Sequence, residues 1–407
     1  MAGIKGLFAG AELGDKEKKN LLILDTIRKN GPIGRTEISK VTGFNIVTVS
    51  NYIDHYIKEG LVSEGGYDTS SGGRKPMLVD LNYKSTYVIG VGFDMTDMLG
   101  VITDLRSNIL FQLRKKKAAE TGKALLANLI EMVEEILNKS SLDKKKIKGI
   151  GLAVAGIIDK DNMSIRWPGP LGTPDVVISA SLLNTVEHRF NMPVIVENDA
   201  DCAAFGEQWL ALSPELRNVI YMYSGVSCGI IINGQIYKGA SGCAGELGIL
   251  NPYKLDKYDW HKESYGLGRW NMELGILDGI KELYKKNSDS GIFKSADGDS
   301  EKVTFSSVVE AAHSNDKLAI QLLSKAGEDL GKKIAFLVNL LNPQVIVIGG
   351  GIEKAGPFIF EPLKKAVNEW AFDEAAKGLK IMPAQLAENA IPLGAASVVV
   401  QKYFENM

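Results

Sequence analysis

From Tyr87 onward the sequence keeps to one pattern: apolar runs of strand length alternate with amphipathic stretches of helix length. Tyr87-Val88-Ile89-Gly90-Val91, Leu99 to Thr103 and Ile109 to Leu113 read as three successive strands, and residues 121–138 as an amphipathic helix. Ile147 to Val154 and Val194 to Glu197 read as buried strands, with a helix over Ser179–Phe190 between them. A second round opens near Val219. Strands over Val219–Tyr223 and Gly229–Ile232 lead to an Asn233-Gly234 hairpin turn, and helices follow over Asn271–Lys286, Ser306–Ala312 and Lys317–Leu341. Val345-Ile346-Val347-Ile348 is a further buried strand, closed by Gly349-Gly350-Gly351. Strands that alternate with helices imply a largely parallel sheet, so this part of the chain is expected to be α/β, with a site between its two rounds.

The first eighty residues follow a different pattern, and 407 residues exceed what one hydrophobic core usually serves. We therefore expect a first domain over 1–82 and a second, of two α/β lobes, over 83–407. Leu21, Leu22, Leu24 and Ile27 recur at helical spacing until Asn30-Gly31-Pro32 stops the run. A short second helix over Gly34–Val41 is closed by Gly43, and a third runs from Asn45, a plausible N-cap, to Glu59. Two short helices separated by Thr42-Gly43 make a helix-turn-helix. Val49, Ile53, Tyr56 and Ile57 fall on one stripe of the third helix. That leaves Asn45, Thr48, Tyr52 and His55 opposite, with Ser50 and Asn51 beside them.

Short polar groups near a helix N-terminus suit base edges and phosphates, although a solvated surface would show the same stripe. The next segment favours nucleic acid. Leu61–Glu64 and Met77–Leu81 can pair as a hairpin, and the linking residues 65–76 are glycine- and serine-rich and carry Arg74 and Lys75. A cationic wing of this kind can lie against phosphates or enter a narrow minor groove. An exposed interdomain loop with incidental charge is the alternative. The formal net charge of −2 means that any contact with DNA must be local to these elements.

Two segments make the resemblance specific: Thr42-Gly43-Phe44-Asn45-Ile46-Val47-Thr48-Val49-Ser50-Asn51-Tyr52-Ile53, and Ser71-Gly72-Gly73-Arg74-Lys75-Pro76. They resemble the DNA-binding domain of repressors in the ROK family, which groups repressors, uncharacterised frames and sugar kinases. The resemblance runs over essentially the whole chain. It implies a winged helix-turn-helix with Arg74 as the wing arginine, a two-lobed actin-like ATPase (ribonuclease H-like) domain, and a homodimer. DNA and a sugar or sugar-derivative effector are the implied partners.

Glu197-Asn198-Asp199-Ala200, at a strand end leading into a helix over Ala200–Leu210, is the strongest site motif. A carboxylate beside an amide at a cleft mouth can hold neighbouring sugar hydroxyls. Asn198 or Asp199 could equally cap the helix, and the two roles are compatible. In the family's kinases the residue matching Asp199 is the general base, and Gly242 to Gly248 resembles the segment whose glutamate, here Glu246, reaches sugar hydroxyls. Asn198, Asp199 and Glu246 are therefore the expected ligand-binding set. The family's next residue is a zinc-ligating histidine, but Ile249 stands there, and residues 260–266 supply no cysteine to complete such a site. We expect no metal and no cofactor, and read His261 as polar surface.

Phosphate binding separates a kinase from a receptor. The family's early Asp-x-Gly-x-Thr turn is replaced by Gly92-Phe93-Asp94-Met95-Thr96, and a carboxylate facing polyphosphate without a metal repels it. The second phosphate loop reads Tyr223 to Gly229 and has side chains where glycines are usual. The glycine turn 349–351 remains, open either to the adenosine side of a nucleotide or to close strand–helix packing. The expectation is a degenerate kinase fold without phosphotransfer. The alternative is an ATP-dependent sugar kinase with Asp199 as its base and an appended DNA-binding domain. Cys202, Cys228 and Cys243 are isolated and read as reduced thiols, and no apolar run is long enough to span a bilayer, so a cytoplasmic protein is expected.

Overall fold

The computed structural model describes residues 13–67, 77–93, 97–116, 122–159, 164–167, 176–223, 227–247, 280, 290–294 and 302–407. The first helix, α1 (Asp15–Asn30), begins six residues before Leu21, the first of the apolar residues, and ends where Gly31 leaves the helical conformation. It is followed by β1 (Ile33–Gly34), α2 (Arg35–Thr42) and α3 (Ile46–Lys58). Gly43 closes α2 with a φ of 74°, a left-handed conformation that glycine adopts without a Cβ penalty. The hairpin β2 (Val62–Tyr67) and β3 (Met77–Leu81) is antiparallel, and β1 joins it on the β3 side to give a three-stranded sheet in the order β1-β3-β2. This is a winged helix-turn-helix. Its core is formed by Ile23, Leu24, Ile27, Ile38, Val49, Ile53, Tyr56, Val79 and Leu81, all essentially buried.

The rest of the chain repeats one sheet design. In the first lobe β4 (Tyr87–Phe93), β5 (Asp97–Asp104) and β6 (Ile109–Lys116) form an antiparallel meander. After α4 (Gly122–Lys139), β7 (Ile147–Val154) pairs parallel to β4. A small antiparallel sheet follows, made of β8 (Ile157–Asp159), β9 (Ser164–Trp167) and β10 (Val176–Ser179). Then α5 (Ala180–Phe190) leads to β11 (Val194–Asn198), parallel to β7, so the sheet order is β11-β7-β4-β5-β6. The second lobe has the same plan: β12 (Val219–Tyr223), β13 (Ser227–Ile232) and β14 (Gln235–Ile236) make a meander around the Asn233-Gly234 turn, and β15 (Val345–Gly349) and β16 (Lys380–Pro383) add in parallel. Its order, β14-β13-β12-β15-β16, matches the first lobe strand for strand. The second-lobe core packs α7 (Phe305–His313), α8 (Lys317–Leu341) and α9 (Pro357–Trp370) on this sheet.

Two helices occupy the space between the sheets. One, α6 (Asp199–Gly206), packs on β12 and β13; the other, α10 (Ala390–Glu405), packs on β4 and β7 and against α6. Residues 390–400 of α10 are buried all round, as expected of a helix enclosed on every side. Close approach of the two helices requires Gly394: a Cβ there would lie 1.8 Å from the Cys202 carbonyl oxygen. The far end of α10 joins the winged-helix core, where Val400 and Phe404 are buried. Much of the Asn271–Lys286 helix expected from the sequence falls outside the described residues.

Candidate functional site

The polar face of α3 begins at its cap. The Asn45 side-chain oxygen accepts the Thr48 backbone N–H at 2.8 Å, so the amide NH2 is the group left for a ligand. Asn45 and Asn51 are exposed, Thr48 and Ser50 are half-buried, and the apolar Ile46 and Val47 are exposed beside them. A helix end that presents amide, hydroxyl and small apolar groups can meet both hydrogen-bonding base edges and a thymine methyl. Tyr52 is a correction to the helical-wheel reading. It is half-buried against the winged-helix core, its ring edge-on to Tyr56 with centroids 6.1 Å apart. Tyr56 is fully buried; its hydroxyl donates to Asn20 Oδ1 at 2.7 Å, and burial pushes the phenol well above its usual range. Arg74 and Lys75, which fall between β2 and β3 in the sequence, lie outside the described residues.

The second site stands where β11 ends and α6 starts, at the carboxyl ends of the parallel strands β7 and β11, a common place for ligands in α/β sheets. Asn198 is the cap: its Oδ1 accepts the Ala200 and Asp201 N–H groups at 2.9 and 3.2 Å, and its Nδ2 donates to the Gly156 carbonyl at 3.1 Å. The capping role is thus present, and it fixes the chain so that Asp199 is the first helical residue. Asp199 is 8% exposed and accepts the Ala200 N–H at 2.8 Å. Glu246 comes from the segment after β14 and is half-buried. That segment turns at Gly245, with φ 89°, where a Cβ would fall 1.8 Å from the Cys228 carbonyl oxygen. Only glycine permits this approach, which seats Glu246 beside β13.

Beneath these residues lies an ionic cluster that the sequence reading missed. Glu197 is 1% exposed, and one of its oxygens accepts the Lys238 ammonium and the Asn198 N–H; the other has no hydrogen-bond partner among the described residues. Lys238 Nζ also lies 3.7 Å from Asp201 Oδ2. Lys238 leaves the second-lobe meander to reach Glu197 on the first-lobe sheet, so this buried pair ties the two lobes together directly under Asn198 and Asp199. Burial, reinforced by the Glu197 charge and opposed by Lys238, pushes Asp201 up to about 8. The spacing gave one usable signal, a Glu197/Asp199/Asp201 alternation around a helix start. Nothing marked Lys238, forty-one residues away along the chain from Glu197.

The phosphate-binding segments are only partly described: residues 94–96 and 224–226, and likewise Ile249 and residues 260–266, lie outside. The glycine turn is described. Glu353 accepts the Gly351 N–H at 2.8 Å, and Tyr221 fills the space over Gly349, where a Cβ would fall 2.0 Å from the tyrosine hydroxyl. The turn is packed from one side and closed by a carboxylate from the other. All three cysteines are free thiols. Cys202 and Cys228 are buried, with burial raising both, whereas Cys243 is half-buried.

Comparison with known proteins places this arrangement. Residues 88–402 match the ROK family. The xylose repressor of Caldicellulosiruptor bescii is 30% identical over 95% of this chain and 96% of its own length. The DNA-binding transcriptional dual regulator NagC of Escherichia coli is 24% identical over 94% and 92%. Among solved structures, a ROK family transcriptional regulator, a homolog of the E. coli MLC protein, superposes with a TM-score of 0.74 at 21% identity and covers 96% of this chain and 97% of its own. A ROK family glucokinase from Streptomyces griseus, solved with glucose and AMPPNP, superposes at 0.63 with 23% identity, covering 77% of this chain and 98% of its own. At these identities the structural likeness is one of fold. No described helix is long and apolar enough to cross a membrane.

Proposed function

We propose, from the premise that this chain belongs to the ROK family, that it is a DNA-binding transcriptional repressor whose operator affinity is set by a sugar or sugar derivative. One observation carries the reading. Likeness to a repressor extends over 95% of the chain, whereas the glucokinase accounts for 77%, a difference of the size of the winged helix. In this reading residues 1–82 bind DNA and residues 83–407 form the sensor. Asn45, Thr48, Ser50 and Asn51 meet bases and phosphates, and Arg74 and Lys75 serve the wing. Asn198, Asp199 and Glu246 face the effector, and the protein works in the cytoplasm as a homodimer.

Phosphotransfer is lost in this reading. Gly92 stands in place of a metal-holding aspartate, and Glu353 already occupies the Gly351 N–H and brings negative charge to the turn that a nucleotide would approach. The kinase alternative rests on Asp199 at the cleft mouth. It is tested by coupled ADP release across a panel of hexoses and pentoses. Turnover that disappears in Asp199→Asn would restore the kinase.

The regulator reading is tested by gel retardation on the DNA upstream of its own coding sequence, with D-xylose and N-acetylglucosamine among the probe sugars. The expected result is a specific complex at low salt whose affinity changes at least fivefold with one sugar, corresponding to about 1 kcal/mol of coupling. Absence of a complex on every palindromic upstream segment overturns it.

A further inference from the structure

The helix that starts at the candidate effector site meets the winged helix through a side-chain contact at its other end. Helix α6, which starts at Asn198 and Asp199, is expected from sequence to continue to Leu210. Instead it ends at Gly206 and widens into a π turn over Glu207–Ala211, where the Leu212 N–H reaches the Glu207 carbonyl at 2.8 Å. Wide turns of this kind are frequent at functional sites because they accommodate a residue that an α turn would not. The residue presented is Trp209. Its indole stacks on Phe205 of α6, with centroids 5.3 Å apart and rings 28° from parallel. Over the same ring stand the Arg28 guanidinium at 4.3 Å and the Lys29 ammonium at 5.4 Å, both from the last turn of α1.

The contact has more than one strand. Arg28 also donates to the Trp209 carbonyl at 3.0 Å and is held in place by Asp25 at 2.8 Å. Its side chain is 6% exposed, so this guanidinium is committed to the sensor and is not a phosphate ligand. The indole N–H is buried without an acceptor among the described residues, so it is the ring face and the backbone carbonyl, not the indole N–H, that hold α1. At Gly394 the backbones of α6 and α10 are in direct contact, so α6 is packed against α10 between its cap end and the π turn. Arg28 sits one turn after Leu24, and Leu24 belongs to the same core as Val49, Ile53 and Tyr56 of α3.

We infer that Trp209 is a positioning residue for the DNA-reading domain, carrying the state of the Asn198–Asp199 end of α6 to Arg28 and thereby to α1 and α3. The inference deepens the regulator reading and rests on it for its biological meaning, but its physical content can be tested without an effector or an operator. The test is amide hydrogen exchange of the full chain over residues 20–30, comparing wild type with Asn198→Ala, alone and in Trp209→Leu and Trp209→Phe backgrounds.

Removing the cap is expected to speed exchange in residues 20–30 at least threefold in the wild-type background. The effect should vanish in Trp209→Leu and persist in Trp209→Phe, which keeps an aromatic face; a merely structural tryptophan would not sort the backgrounds this way. Arg28→Lys, which preserves charge and loses the planar stack, is expected to behave like Trp209→Leu and keeps the test intact if that variant folds poorly. An equal response with and without the indole, or no response in the wild-type background, overturns the proposal. Gel retardation on the upstream DNA is the separate arm. If it fails while the exchange coupling holds, the regulator reading falls and the coupling stands.

Discussion

Beneath Asn198 and Asp199 the two lobes are joined through a residue that neither sequence motif nor resemblance pointed to. Lys238 is the cation that compensates Glu197 in a buried setting, with Asp201 alongside, and a buried charge that loses its partner costs far more than the intact pair contributes. Lys238→Met, similar in volume, is therefore expected to destabilise the protein by about 3–5 kcal/mol, read as a lower urea midpoint. The pH dependence has a definite sign. Asp201, pushed up to about 8 by burial, keeps a proton in the folded protein that an unfolded aspartate gives up near about 3.9. Its contribution therefore favours folding at the low end of that window and is lost as the pH rises through the folded value. Asp201→Asn mimics the protonated acid, so the mutant should be more stable relative to wild type at pH 9 than at pH 5. A stability difference independent of pH would show that Asp201 is ionised throughout.

At the scale of elements, capping and base reading can be separated on α3. Serine caps a helix about as well as asparagine, so Asn45→Ser should leave stability within about 0.5 kcal/mol of wild type, whereas Asn45→Ala should lose about 1 kcal/mol. Both remove the amide NH2. If that group reads a base, both variants lose about 1–3 kcal/mol of operator affinity at one base position, visible as relaxed preference in a binding series with that position varied. Most of these elements were legible in the sequence, because helices and strands impress their periods on apolar residues and because Gly31, Gly43 and Gly60 mark where segments stop. The unread elements have physical reasons. Strands β8, β9 and β10 are three or four residues long and leave too little pattern to count. Helix α10 is apolar on every side through residue 400 and so has no periodicity to find. Tyr52 falls on the polar side of an isolated α3, and only the packing of the assembled winged-helix core draws it inward. The site was legible in part: strand ends and a polar helix start indicated Asn198 and Asp199, but an ion pair that spans two lobes leaves no local trace.

At the scale of the whole molecule, the winged helix is anchored to the two-lobed domain, not tethered beside it. Arg28 meets Trp209; Asn20 Nδ2 donates to the Glu405 carbonyl at 3.2 Å while its oxygen holds Tyr56; and Arg106, beyond β5, grips both carboxylate oxygens of Asp80 on β3. A domain on a flexible linker can follow half-sites as their spacing changes, because reorienting costs it only chain entropy. A domain held at three places cannot. For a symmetric dimer, half-sites one helical turn, roughly 34 Å, apart would be read in register, and adding half a turn of DNA would turn one of them to the opposite side of the duplex. The anchors therefore predict narrow spacing tolerance: inserting five base pairs between half-sites should weaken binding at least to the nonspecific level. Asp80→Ala removes one anchor without touching α3 or the proposed effector residues Asn198, Asp199 and Glu246. Its expected signature is a weaker complex at the natural spacing together with a smaller penalty for insertions of one or two base pairs. That combination distinguishes a loosened head from a damaged reading surface, which would lower affinity equally at every spacing. Equal losses across the spacing series would show that the Arg106–Asp80 link does not orient the head when DNA is bound.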